Sequence, residues 1–351
     1  MSTDKDEKGH TKEKDEHIQD EFTFIADMSA PFQTYGDVLV PLGDDAAVYR
    51  PTNGKGQIVC VDTMVEDIHF ARHTMSPQQI GHKALAANIS DIAAMGGIPT
   101  YFVIAVTVPQ TWTMEEMRDI YRGMRTLADE YRIGLLGGDT TSNPHQLVIS
   151  ITAIGEVEED VSLLRSNARP GDLVFLTGSV GNSAAGLDLL LRHPEKKDHA
   201  SYLGLLQAHQ QPQPHVEQGR LLAQLSQEVR LSLNDVSDGI ASETHEIAQQ
   251  SAQVDIVLNK QDMPLDSELI TYAQEVGKDP YDFALNGGED FVLVGTVPPS
   301  AWSTLEAQFR AHDLSIFSIG HVQEGQGDVW LIDGQHKRKL NKSGYNHFST
   351  E

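Results

Sequence analysis

The sequence predicts a two-domain protein of the α/β or α+β class, and three observations carry that reading. Strand-like apolar runs alternate with helix-like periodic runs along most of the chain. At 351 residues the chain exceeds the size at which one hydrophobic core usually keeps growing. The segment Arg165 to Gly171, RSNARPG, interrupts the pattern with Pro and Gly and marks the boundary between the halves. The expected division is a charged tail over 1–20, an N-terminal domain over 21–165 and a C-terminal domain over 166–351.

The opening MSTDKDEKGHTKEKDEHIQD mixes both signs of charge without apolar periodicity, which predicts a disordered tail. Two strand candidates follow, Ala46 to Tyr49 and Gln57 to Asp62, separated by an Asn53-Gly54 turn signal. Ser76-Pro77 opens a helix with an N-cap and a first-turn proline, and Gly96-Gly97 before Pro99 closes it. Apolar or small residues lie on most sides of this helix, so it is expected between two layers, where its carboxylate Asp91 needs a partner. Asn88 or a metal ion would serve. Tyr101 to Val108 reads as a central strand, and Thr113 with Glu116 forms a capping box for the next helix. Met117, Ile120, Met124, Leu127 and Tyr131 are that helix's core face. Strands are expected at Ile133 to Leu136, Leu147 to Val157 and Asp172 to Thr177. The second half continues with helices through Leu187 to Leu191 and Val216 to Leu225, joined by a polar connector near Gln207 to His215. Strands Val254 to Leu258 and Phe291 to Val297 precede an Asp333-Gly334 hairpin.

With 39% apolar and 22% charged residues the chain reads as globular. Its 51 acidic and 26 basic side chains leave a formal charge of −25, which argues against nucleic acid or an anionic membrane as partner. An anionic substrate would have to enter with cations. The single cysteine, Cys60, excludes an intrachain disulfide and a Cys-rich zinc site. No apolar run approaches the roughly 20 residues of a membrane span. A cytoplasmic protein is expected.

Five Asp-bearing segments recur beside glycine or other small residues: GDDAAVY from Gly43, SDIAAMGG from Ser90, GGDTT from Gly137, NDVSDG from Asn234 and GGEDF from Gly287. A single Asp-Gly is usually a turn. Five of them suggest carboxylates converging on a site that cations must neutralise, and oxygen ligands without Cys or His clusters select Mg²⁺ or Mn²⁺. Such ions, shared with substrate phosphates, are the hallmark of phosphoryl transfer. The chain contains no GxxxxGK[ST] loop, no HRD or DFG set, no second histidine to complete His245-Glu246 as a zinc helix, and no GxSxG around Ser183. TGSVGNSAAGLDLL, from Thr177, reads either as a helix start presenting amides to phosphate or as a plain strand-turn-helix connection. His69, taken alone, reads as a structural histidine.

In this order GDDAA, DTMVEDIHF, KALAANISDIAAMGG, GGDTT, RSNARPGD, TGSVGNSAAGL, DVSDG, NGGEDF and SGYNHF resemble the thiamine-monophosphate kinases. These belong to the superfamily that includes aminoimidazole ribonucleotide synthetase, selenophosphate synthetase and a hydrogenase-maturation dehydratase. The resemblance runs from about Glu21 to Phe348, and the reactive cysteines of the last two branches are missing. It implies an N-terminal α/β domain that builds a barrel with a partner subunit, hence a homodimer, and a C-terminal α/β sandwich. It implies transfer of the γ-phosphoryl of ATP to thiamine monophosphate. Asp45, Asp62, Asp91, Asp139, Asp235 and Asp238 are the implied Mg²⁺ ligands, with Asp139 and Asp238 implied as catalytic. Gly138, Asp139, Arg165 and Ser237 are implied ATP contacts; His69, Glu289 and Tyr345 are implied contacts to thiamine monophosphate. Where the family often has Ser-Thr, this chain has Cys60-Val61, which removes any side-chain oxygen ligand there; Asp67 replaces a commonly small residue. Two other readings stay open: a catalytically silent nucleotide-binding regulator, and an ATP-dependent enzyme acting on an amide or formyl substrate.

Overall fold

The computed structural model describes residues 18, 20–43, 45–161 and 163–342. The expected charged tail therefore lies outside the described residues except for Ile18 and Asp20, and so does Tyr345. Helix α1 (Glu21–Ser29) leads to a two-stranded ribbon of β1 (Val38–Val40) and β2 (Val48–Tyr49). Next come β3 (Lys55–Val65), α2 (Pro77–Ala94), β4 (Ile98–Val108), α3 (Met114–Tyr131), β5 (Gly134–Ser142) and β6 (Val148–Glu158). The four longer strands form one sheet in the order β3-β6-β4-β5, parallel only between β4 and β5, which α3 connects. The turn signal at Asn53-Gly54 does not make a hairpin: β2 pairs with β1 and β3 pairs with β6.

The second half contains β7 (Leu173–Leu176), α4 (Asn182–Arg192), α5 (Leu203–Gln210), α6 (Val216–Leu225), β8 (Ser232–Asp235), α7 (Ile240–Gln250) and β9 (Val254–Asn259). It ends with α8 (Ser267–Val276), α9 (Pro280–Asn286), β10 (Leu293–Val297), α10 (Trp302–Ala311), β11 (Phe317–Glu324), β12 (Val329–Asp333) and β13 (His336–Leu340). Seven strands build a mixed sheet in the order β13-β12-β9-β11-β7-β10-β8. The connector expected near Gln207 is partly helical, because Leu205, Leu206 and His209 of α5 are buried. The two Gly-Gly-Asp-like segments differ in context, since Gly137 to Asp139 lies inside β5 whereas Gly287 to Asp290 is a loop before β10.

Helix α2 joins the halves. Ser76 and Gln79 cap its first turn reciprocally, and Gly96, at φ +70°, takes the left-handed conformation that ends it. Ile80, Leu85, Ile89 and Ile92 are fully buried in a core that continues through Leu222 of α6 and Phe175, Leu293 and Phe309 beyond it. The apolar core therefore does not stop at the Arg165 boundary. Helix α3 crosses α2 backbone to backbone: a Cβ on Gly81 would lie 1.8 Å from the Ile120 carbonyl oxygen, and one on Gly123 would lie 1.9 Å from that of Gln78. On the sheet face away from α2, Val59 and Val61 of β3 are 66% and 60% exposed. Lys55 of β3 and Arg220 of α6 converge on Glu158 of β6 at 2.6 and 2.8 Å, and Arg220 also donates to the Gly96 carbonyl.

Gly81→Ala forces the helices apart and lowers unfolding free energy by about 3 kcal/mol, the upper end of ordinary overpacking; a urea midpoint equal to that of the parent chain would contradict the crossing. The Glu158 carboxyl is held down at about 2 by hydrogen bonds from Arg220 and Lys55. Its folded value is depressed, so its contribution is complete above the ordinary 4.5 and is lost as pH falls toward about 2. The urea-midpoint difference between parent and Glu158→Gln is expected to stay level down to about pH 5 and to shrink below it. A difference that grows on acidification would rule this out.

Candidate active site

Three of the expected carboxylates meet where α2 passes between the halves. The Asp62 amide, in β3, donates to Asn88 Oδ1 at 3.2 Å, and Asn88 Nδ2 donates to the Ala84 carbonyl at 3.0 Å. Asn88 is wholly buried and so serves the Asp62 backbone. From the same helix Ser90 Oγ donates to Asp235 Oδ2 at 2.8 Å, tying α2 to the end of the edge strand β8. Burial pushes the Asp91 carboxyl up, and the charges of Asp235 and Asp62 add to that. Burial also raises Asp235 and Asp62; the Ser90 bond and the Arg165 charge oppose the rise at Asp235. Cys60 donates through Sγ to the Asn88 carbonyl at 3.3 Å, and its thiol is raised by burial and by Asp91 and Asp62. Asp91 thus feels the charges of both other carboxylates, and Asp235 feels that of Asp62. That is the electrostatic signature of a site which a cation or a proton must complete.

After β8 the chain turns through Ser237 and Asp238 into α7, with Gly239 at φ +94°. The buried Glu243 organises this turn, accepting from the Asp238 amide at 3.0 Å, from Ser237 Oγ at 3.3 Å and from Asn234 Nδ2 at 2.5 Å. Burial and the Asp235 charge push Glu243 up to about 7. Arg165 Nε donates to Asn234 Oδ1 at 2.8 Å, so the expected ATP residue Arg165 and the Ser237 turn share one hydrogen-bonded chain.

The loop before β10 lies against that turn. The Glu289 amide donates to the Ser237 carbonyl at 2.7 Å and the Phe291 amide to that of Val236 at 3.0 Å. A Cβ on Gly288 would come within 2.2 Å of the Ser237 oxygen, so only glycine permits this approach. Glu289 and Phe291 hold φ of +65° and +52°, unusual for residues with side chains. Asp290 accepts from the amides of Gly181 and Ser183 at 2.6 and 3.1 Å, while burial pushes its carboxyl up to about 7. Those amides begin α4. In TGSVGNSAAGLDLL these two amides are thus taken up by Asp290, which supports the reading as a structural strand-turn-helix connection.

His69 follows β3 in a tight turn, where the Val65 amide donates to its Nδ1 at 3.0 Å and its own amide donates to the Val65 carbonyl. Gly138 and Asp139 are exposed on β5, the edge opposite β3. Three strand spacings, about 14 Å, separate that edge from Asp62. Asp45 is exposed beside the β1-β2 ribbon, and Leu42 of the same segment lines a small hollow with Gly137, Gly138 and Asp139. Within one chain the six acids thus fall into two groups, Asp62, Asp91, Asp235 and Asp238 between the halves, and Asp45 and Asp139 toward the far edge. Among the described residues no three His, Cys, Asp or Glu side chains are arranged to hold a metal ion by themselves. The donor chemistry still fits Mg²⁺, an ion that binds through one or two carboxylates, water and substrate phosphate instead of an all-protein cage. Reasoning from sequence missed Lys83, Ser90, Glu243 and Asp290. Three of them sit inside or beside the motifs quoted, but Glu243 has no motif to announce it.

The family of AIR synthase related proteins matches residues 43–157 through its N-terminal domain and residues 169–332 through its C-terminal domain. The thiamine-monophosphate kinase of Bacillus subtilis (strain 168) is 44% identical over 94% of this chain and 99% of its own length. The crystal structure of thiamine-monophosphate kinase from Stenotrophomonas maltophilia K279a superposes with a TM-score of 0.75 at 30% identity, covering 84% of this chain and 91% of that one. AaThiL complexed with AMPPCP and TMP superposes with a TM-score of 0.74 at 31% identity, covering 88% and 92%. A two-domain fold shared along both chains, with the acidic segments on it, makes this chain a member of the thiamine-monophosphate kinase family.

Proposed function

We propose that this chain transfers the γ-phosphoryl group of ATP to the phosphate of thiamine monophosphate, giving thiamine diphosphate and ADP. One observation carries the reading beyond family membership: the half-buried Asp62 and Asp91 crowd the buried Asp235 at the junction of the halves, and Arg165 bonds to Asn234 beside Asp235. Such a pocket repels two polyanionic substrates until cations enter with them. The acceptor is itself a phosphate oxygen, ionised near neutral pH, so the protein has no difficult proton to remove. Its work is to position the two phosphates and neutralise them.

In this reading Asp45, Asp62, Asp91, Asp139, Asp235 and Asp238 hold Mg²⁺, and Asp139 and Asp238 stand nearest the transferring group. Bound there, the ion supplies charge neutralisation on the phosphate oxygens. Gly138, Asp139, Arg165 and Ser237 receive ATP. His69, Glu289 and Tyr345 receive thiamine monophosphate, a cationic thiazolium and a flat pyrimidine suiting a carboxylate and an aromatic ring. The domain division is proposed at 165/166, with 1–20 as a tail. Among the described residues no helix is long and apolar enough to cross a membrane. Use of ATP supports a cytoplasmic location, and the net charge of −25 disfavours nucleic acid as a partner.

The site reading favours a homodimer joined through the four-stranded sheets. Val59 and Val61 are apolar and uncovered on that sheet, and Asp139 lies too far from Asp62 to share an ion with it inside one chain. A second copy that brings its β5 edge to the cleft would complete the set.

Three measurements test these assignments. Steady-state turnover with ATP and thiamine monophosphate is expected to yield ADP and thiamine diphosphate in equal amounts, to stop in EDTA and to return with Mg²⁺. Unphosphorylated thiamine is not expected to react, and comparable turnover of it would point to a hydroxyl kinase. Asp235→Asn is expected to cost at least about a hundredfold in kcat, as loss of a charge-stabilising group does, with an unchanged circular dichroism spectrum. Light scattering is expected to give twice the chain mass, reduced to the chain mass by Val59→Glu together with Val61→Glu; a monomeric parent would remove the dimer from the reading.

A further inference from the structure

Lys83 of α2 is 1% exposed. An ammonium taken out of water is costly unless it is paired, so the identity of its partner is informative. Lys83 Nζ donates to Glu289 Oε2 at 2.5 Å, across the junction between the halves. His209 of α5, also 1% exposed, brings Nδ1 to within 3.7 Å of the same oxygen, and its Nε2 is buried with no hydrogen-bond partner. Burial and the Lys83 charge hold the His209 ring well below its ordinary range, so it is neutral and the positive charge facing Glu289 belongs to Lys83.

The two carboxylate oxygens of Glu289 are therefore not equivalent. Oε2 is anchored inward by Lys83, whereas the side chain as a whole keeps 32% of its surface exposed. The backbone beneath is held in a left-handed conformation by the bonds to Ser237 and Val236, so it has little freedom to re-aim the carboxylate. What aims it is the ammonium.

We propose that Lys83 is a positioning residue for thiamine monophosphate: it fixes Glu289 through Oε2 and leaves Oε1 presented to the cationic heterocycle of the substrate. The proposal rests on the reading that Glu289 contacts thiamine monophosphate. It assigns Lys83 no contact with either substrate, so its effect is confined to one KM.

The test is a double-mutant cycle on the full chain with Mg²⁺, ATP and thiamine monophosphate. Glu289→Gln and Lys83→Met are each expected to raise KM for thiamine monophosphate by about tenfold or more, the usual loss for a hydrogen bond to a charged group. KM for ATP and kcat are expected to stay within about twofold. The double variant is expected to be no worse than Glu289→Gln, because Lys83 acts only through that carboxylate. Effects that multiply, or equal rises in both KM values, would overturn the proposal and leave Lys83 as an ion pair joining the halves. If Glu289→Gln raises KM and Lys83→Met does not, the proposal fails while the substrate reading stands. If Glu289→Gln leaves KM unchanged, the substrate reading fails and takes the proposal with it. Lys83→Gln serves where Lys83→Met does not fold: its amide can still donate to Oε2, and a KM for thiamine monophosphate between those of the parent and Glu289→Gln is expected, a value equal to the parent's overturning the role of the charge.

Discussion

The structure depends on the burial of one helix between two layers. α2 lies against the four-stranded sheet and α3 on one side and against α6 and β8 on the other, with most of its residues out of contact with water. A helix in that position is expected to be apolar all round. This one nevertheless carries Lys83, Asn88, Ser90 and Asp91, and the first three have their polarity answered by a different element each: Glu289 for Lys83, the Asp62 amide for Asn88, Asp235 for Ser90. A buried polar group costs free energy unless it is hydrogen-bonded, so each of these contacts constrains where β3, β8 and the loop before β10 can lie. The site is a consequence of satisfying one helix.

The same argument explains why Asp91 stands apart from its neighbours. Lys83, Asn88 and Ser90 are paired with complementary groups, while Asp91 faces Asp62 and Asp235, which carry its own sign, with Arg165 and the Cys60 thiol as the opposing influences. A protein selected only for stability would not place three carboxylates there. Helix α3 shows the contrast, since its buried face is apolar and its capping box is closed by Thr113 and Glu116. Like carboxylates crowded at a half-buried position are where function departs from the rules that the rest of the chain obeys.

Much of this was legible in the sequence. The caps of α2 and α3, the central position of β4, the helix Val216–Leu225 and the Asp333-Gly334 hairpin all follow from local chemistry acting over a few residues, and such signals survive into the fold. Pairings set at long range were less accessible. Asn53-Gly54 has the residues of a hairpin turn, yet the strands on either side find partners elsewhere, because the eleven-residue match of β3 with β6 outweighs a local turn. The recurrence of Asp beside glycine suggested the candidate site but did not reveal that Asp139 lies on the opposite sheet edge from Asp62. Glu243 was invisible, since a glutamate in the first turn of a helix is an ordinary surface choice, and only the closure of the Ser237 turn over it makes it a buried organiser.

The two loops proposed to receive the two substrates are also one mechanical unit. The backbone bonds from Glu289 to Ser237 and from Phe291 to Val236 leave no slack between them, and Gly288 permits an approach closer than any side chain would allow. Residues with positive φ persist only where their surroundings over-determine them. Here those surroundings are Lys83 on one side, the Val236 to Asp238 turn on another and the Asp290 carboxylate locked onto the start of α4. A reaction whose acceptor is already ionised gains little from proton transfer and much from holding two phosphates in line. Joining the loops through main-chain hydrogen bonds, and pinning the pair to a buried helix, gives that alignment a backbone origin, which side-chain motion at the surface of the cleft cannot easily disturb.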